Sequence, residues 1–230
     1  MTPIIDGQVH TFVEHGLYNG LFLMRDDESQ TFWDHLTGEA VYGPRVGTTL
    51  EVGNLLHTKV AQVLESDPDA QIALSDRNMR SDEDMELGGL LARAGRRLSR
   101  MFGSTVAEED DRRPTMDLGI GVWEGDEARY YAYELVTAEG NVVMDTFQGR
   151  RIAVFLDPSA YVLSSFFVDA DKAEWDDRVL RFSNGQYIEG GVLHDSNGER
   201  TDAARPLQIF TRWYGFALTF PSTTIYGEER

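Results

Sequence analysis

Six residues in one short stretch have the types that bind small polar molecules: Tyr18, Asn19, Trp33, His35, Thr37 and Glu39. Two aromatic rings offer stacking platforms, an amide offers paired hydrogen bonds, and a histidine with a glutamate offers an acid–base pair, a set suited to a small polar ligand or a sugar. The same residues also suit a purely structural part, with Tyr18 and Trp33 in a core and Thr37 and Glu39 shaping a turn. The five histidines, His10, His15, His35, His57 and His194, are not spaced as a metal-binding set. His10 and His15 would fall on opposite faces of a strand. Each histidine is therefore expected to be hydrogen-bonded and structural, and no metal site is expected.

Other motifs carry less. GIGVWEG at 119–125 lies within a strand pattern rather than at a strand-to-helix turn, so it is not a nucleotide-binding signature. DADKAEWDD at 169–177 places acidic residues at two positions of a calcium loop but lacks its glycine and bidentate glutamate, which favours a solvated turn. Cysteine is absent, which removes disulfides, thiolate nucleophiles and sulfur-ligated zinc. No serine-hydrolase elbow, phosphate-binding loop or zinc-protease helix stands out. No cofactor is expected.

The elements that must position these residues are mostly strands. Residues 7–50 read as a β-meander, QVHTFV, LYNGLFLM and QTFWDH, punctuated by turns at Asn19-Gly20 and at TGEAVYG. Asn54 is a candidate N-cap for a helix carrying Leu56, Val60, Val63 and Leu64 at helical spacing, stopped by Asp67-Pro68, with QIAL at 71–74 as a short strand. Between Asn78 and Pro114, acidic clusters bracket an arginine-rich stretch, and this reads as an inserted connector. Within it Leu87, Leu91, Leu98 and Phe102 share one helical face. That face suits a partner interface or contact of residues 86–102 with a membrane surface, and equally a helix packed on its own domain. From Thr115 the strand pattern returns, interrupted by a helix-like YYAYELV and closed by an aromatic helix, FTRWYGFALTF, and a strand, TTIYG. The domain division expected is 1–77, 78–114 and 115–230.

The two halves resemble each other. Thr58 aligns with Thr211, Lys59 with Arg212, Pro68 with Pro221 and Ile72 with Ile225, each pair 153 residues apart and without a gap. Similar order of elements in both halves points to two copies of one supersecondary unit.

Charge sets the surroundings. The 230 residues carry a net charge of −18, and only Lys59 and Lys172 among the 21 basic residues are lysine. Such a surface suits a salt-rich cytoplasm, where the Debye length shrinks to about 3 Å at 1 M and self-repulsion is screened. It repels polyanions, so nucleic acid is not an expected partner. With no apolar run approaching the roughly 18 residues of a membrane span and no signal-type start, a cytoplasmic location is expected.

The run GLYNGLFLMRD…TFWDHLTGEAVYGP at 16–44 resembles the domain-of-unknown-function family 3179, in which a Leu-Tyr-Asn strand precedes a Trp-containing strand and a Leu-Thr-Gly-Glu-Ala turn. The run from Gly119 to Pro158 resembles that family's opening strands, with Met144-Asp145-Thr146 in place of its Asn-Asp-Thr segment. The resemblance implies that an opening module and a Cys-Pro-Leu-Cys-Gly element found in relatives do not precede the first copy. The expected fold is therefore α+β and β-rich, two related units of small antiparallel sheet each with one packed helix, the first unit truncated. An incomplete unit leaves strand edges open. The expected function is a non-enzymatic structural or protein-interaction module that forms a homo-oligomer or binds a protein partner. The alternative is a binder or enzyme for a small polar ligand, using Tyr18 to Glu39.

Overall fold

A computed structural model describes residues 3–18, 21–74, 109–158, 160–202 and 204–228; for Tyr18 it describes the backbone alone. The chain divides into two compact units, Met1–Gly53 with Gln71–Glu109, and Asn54–Ala70 with Asp110–Arg230.

The first unit is a meander. A small hairpin, β1 (Ile4–Ile5) and β2 (Gln8–Val9), precedes β3 (Phe12–Tyr18), β4 (Leu21–Asp26), β5 (Phe32–Asp34) and β6 (Ala40–Tyr42), which pair antiparallel in chain order. The expected strand QVHTFV is split at His10, which is buried and leaves the ladder. A bulge between Glu14 and Leu17 shifts the β3–β4 register, so His10 and His15 do not share one regular strand. Trp33 pairs with Met24 and centres a small core with Ile5, Ala40 and Leu50. Among the described residues this unit holds no helix, and the helix at Val60–Ser66 groups with the second unit.

The second unit begins with α1 (Val60–Ser66). It continues with β7 (Leu118–Glu124), β8 (Glu127–Ala132), α2 (Tyr133–Ala138), β9 (Val142–Phe147), β10 (Arg150–Asp157) and β11 (Val162–Phe167). Then come β12 (Ala173–Asp176), β13 (Val179–Phe182), β14 (Tyr187–Glu189), β15 (Val192–His194), β16 (Leu207–Arg212), α3 (Trp213–Thr219) and β17 (Thr224–Ile225). Three sheets result, ordered β16-β7-β8-β17, β11-β10-β9 and β12-β13-β14-β15, all antiparallel except that β17 runs parallel to β8. The period-two side-chain rule stacks them. Ile152, Val154 and Leu156 of β10 join Ile120 and Val122 of β7 in one core, while Ala153 and Phe155 join Leu180 of β13 and Ile188 of β14 in another. A strand covered on both faces must be apolar throughout, which is why IAVFL contains no polar break.

The glycines of β7 have a steric cause. A Cβ at Gly119 would run into the Tyr130 ring of β8, and a Cβ at Gly121 would lie inside the Phe216 ring of α3. The helix therefore sits directly on bare backbone, and Trp213, Phe216 and Ala217 pack with Trp123, Tyr130 and Ala132.

Several expected boundaries move. YYAYELV is strand up to Ala132 and helix from Tyr133, and FTRWYGFALTF is strand up to Arg212 and helix from Trp213. QIAL forms no strand. Asn54 does not cap α1, whose N-cap is Lys59 with no side-chain hydrogen bond. Instead the Asn54 amide accepts from the Gln208 N–H (2.8 Å) and donates to the Pro206 carbonyl (3.0 Å), fastening residue 54 to the start of β16. No helix among the described residues is long and apolar enough to cross a membrane.

Candidate functional site

Four of the six residues of the Tyr18–Glu39 stretch are described with their side chains. Trp33 is fully buried, so its ring has no open face, and its indole N–H donates to Asp26 Oδ2 (2.8 Å). Asn19 and the side chain of Tyr18 lie outside the described residues. Nδ1 of His35 contacts the Phe22 carbonyl at 3.0 Å, the Thr37 hydroxyl accepts from the Glu39 N–H, and Glu39 is exposed. Asp34 Oδ1 accepts from the N–H groups of Leu36 and Thr37 (both 2.8 Å), which closes the turn carrying these residues. Leu87, Leu91, Leu98 and Phe102 also fall outside the described residues.

A knot that spacing does not reveal lies beneath Trp33. Asp26 is fully buried and accepts from Nδ1 of His10 (3.0 Å), the Ser29 N–H and hydroxyl (both 2.6 Å), and Trp33. Burial alone would raise its pKa, but the hydrogen bonds from Ser29, Trp33 and His10 prevail and hold it far below the ordinary carboxylate range. Glu28 lies 3.7 Å from His10 Nδ1 and also accepts from the Thr11 N–H. The three ligand-type atoms of His10, Asp26 and Glu28 lie within 4.8 Å of one another. Both oxygens of Asp26 accept from protein donors. His10 and Asp26 come from different strands, and no local pattern announces their meeting.

A cleft of about 460 Å³ lies in the second unit between α1 with the segment before it, the β10–β11 hairpin and the β14–β15 turn. Gln62 of α1 reaches in and donates to Asp157 Oδ2 at 2.6 Å, and accepts from the Thr58 hydroxyl. The β14–β15 turn is Gly190-Gly191, both at positive φ (57° and 79°), the two-residue hairpin geometry that glycine favours. A Cβ at Gly191 would come 2.8 Å from Gln62 Nε2, so this glycine also lets the turn approach α1. Arg205 closes one wall. Its Nη1 donates to Ser164 Oγ (2.9 Å) and the Ser165 carbonyl (3.0 Å), and the guanidinium lies 3.3 Å over the Phe166 ring. Desolvation lowers its pKa to about 10. None of the six residues from the Tyr18–Glu39 stretch lines this cleft.

These sheets and helices define a β-rich protein of small antiparallel sheets with few helices. A family model described as "Protein of unknown function (DUF3179)" matches residues 2–220, and the chain belongs to that family. No curated protein and no solved structure matches it.

Proposed function

We propose that this protein is an interaction module whose α1 face takes up a β-hairpin from another chain. The observation that carries this reading is an apolar stripe that is buried at α3 and open at α1. At the 153-residue spacing, Val60 to Ser66 corresponds residue for residue with Trp213 to Thr219, so α1 and α3 have the same bounds. Their entries also agree: Lys59 has φ −98° and ψ 147°, Arg212 φ −88° and ψ 151°, and each helix is followed by a Pro-containing turn. Leu56, Val60, Val63 and Leu64 stand where Ile209, Trp213, Phe216 and Ala217 stand. Trp213 and Phe216 are 0 % exposed because the β7–β8 hairpin covers them, whereas Leu56, Val60 and Leu64 are 46, 56 and 41 % exposed.

Four apolar positions kept in register on a surface suggest that something covers them, and α3 indicates what kind of element does so. Residues 54–59, the counterpart of β16, form no strand, and a strand entering beside them would pair as β7 pairs with β16. Completing the burial of three half-exposed aliphatic side chains would contribute roughly 2–4 kcal/mol. The occupant has a definite chemistry. Gly121 makes room for the Phe216 ring. Val63 stands at the equivalent place and is smaller than phenylalanine, so the incoming strand carries a valine-sized residue there. A second copy of this chain is a poor donor, because its own hairpin is already packed with Trp213 and Phe216 in a closed core. With a net charge of −18, salt favours the encounter. At about 1 M the Debye length of about 3 Å lets apolar contact override like-charge repulsion.

The double substitution V60D/L64D tests whether the face is open. It is expected to change the unfolding free energy of the isolated chain by less than about 0.5 kcal/mol, as at ordinary surface sites. Light scattering in about 1 M KCl should give the same monomer mass for both forms. A loss of about 2 kcal/mol or more would mean that the face is covered within the chain, and a wild-type dimer abolished by the substitution would assign it to a second copy; either result overturns the reading.

A further inference from the structure

We propose that the cleft walled by Arg205 binds a small hydroxylated carboxylate, with Arg205 gripping the carboxylate through its Nε–Nη2 edge. The inference does not rest on the hairpin reading, although Leu56 and Val63 of that face also line the cleft. It starts from an arginine held in place but not neutralised. Nη1 is fixed by Ser164 and the Ser165 carbonyl, and one face of the guanidinium is stacked on Phe166. Among the described residues Nε and Nη2 make no hydrogen bond, and no carboxylate forms an ion pair with the group. The guanidinium is thus oriented by three contacts that leave its side-on fork free, the edge whose two parallel N–H bonds match a carboxylate.

The energetics agree. In a protein with 39 acidic residues, a partly desolvated cation without an acidic neighbour is costly, and burial is the sole cause lowering its pKa to about 10. An anion entering the cleft would offset that cost. The remaining walls select the anion. Asp157 and Asp202 also line the cleft, which disfavours a doubly charged phosphate and favours a single negative charge. Thr58, Thr201 and Ser164 supply hydroxyls, and Val162 and Phe166 supply apolar surface. A volume of about 460 Å³ lies in the range of small-molecule sites. A short chain or ring bearing hydroxyls and one carboxylate fits this combination.

The test uses the full chain and sodium gluconate, with glucose and inorganic phosphate as comparison probes. Gluconate should bind saturably by calorimetry, glucose should not, and phosphate should bind at least tenfold more weakly. R205K keeps the charge and the stem but removes the fork, and should weaken gluconate binding by tenfold or more. Because Arg205 also supports β11, a readout without substitution accompanies it: the side-chain Nε–H resonance of Arg205 should shift on gluconate titration with the calorimetric midpoint. The proposal is overturned by an unmoved Arg205 resonance, by equal affinity of R205K, or by phosphate binding more tightly than gluconate.

Discussion

Phe216→Ala is expected to lower the stability of the second unit by about 3–5 kcal/mol, the range for emptying a buried phenylalanine site. The ring is fully buried and packs against Tyr130 (5.7 Å between centroids), Trp123 (6.3 Å) and Phe220 (4.8 Å), and it rests on the bare backbone of Gly121. Removing it opens a cavity that rigid sheet backbone on one side cannot close. The reciprocal change, Gly121→Val, drives a side chain into the space the ring occupies and should cost about 1–3 kcal/mol or more by overpacking. Because the two residues compete for one volume, the double variant should be more stable than the sum of the single losses predicts, by at least about 1 kcal/mol of coupling. Urea unfolding followed by far-ultraviolet circular dichroism measures all three. Strict additivity would mean that α3 does not sit on Gly121 as described.

Asp26→Asn is expected to cost the first unit about 3 kcal/mol or more, since an amide cannot accept the full set of bonds from His10, Ser29 and Trp33, and a buried donor left unmatched is expensive. The pH dependence follows from the same knot. The folded-state pKa of Asp26 lies far below its ordinary value, with burial opposing and the hydrogen bonds from Ser29, Trp33 and His10 prevailing. A depressed carboxyl pKa gives stability that is complete above the unfolded value of about 3.9 and is lost as pH falls from there toward the folded value. The unit should therefore weaken below about pH 4, and Asp26→Asn should remove that part of the acid dependence. The indole N–H resonance of Trp33, the one tryptophan of the first unit, reports the transition without interference from Trp123, Trp175 or Trp213. An Asp26→Asn protein with wild-type stability at neutral pH and an unchanged acid limb would contradict this account.

The strands of the second unit were legible because their burial writes itself into the sequence. IAVFL between two sheets is unbroken, and in GIGVWEG Ile120 and Val122 face the β10 core while Gly121 and Trp123 face α3. The helix boundaries were less legible because Ala132 and Arg212 end strands at the point where apolar residues continue into a helix, and period alone does not mark the change. QIAL has strand composition but, among the described residues, no partner strand, and a ladder needs two. Asn54 has the composition of a cap, but its amide is taken by β16. Trp33 carried the chemistry expected of a platform, and it is the fully buried centre of a core.

The cleft was not legible at all. Gln62 meets Asp157 across 95 residues of chain and Arg205 meets Ser164 across 41, and no local pattern links either pair. The open stripe lay between these cases. Its positions could be aligned from the sequence, but the contrast between a covered α3 and an uncovered α1 is a property of the folded chain.

Hydrogen exchange across residues 54–66 tests that contrast most directly. The probe is a hairpin peptide with the sequence of residues 117–132 carrying Gly121→Val, added to the full chain and to V60D/L64D. The account predicts that saturating peptide slows exchange of the amides in residues 54–59 at least tenfold in the wild-type chain and leaves V60D/L64D unchanged. Exchange that is unaffected by the peptide, or slowed equally in both chains, would contradict it.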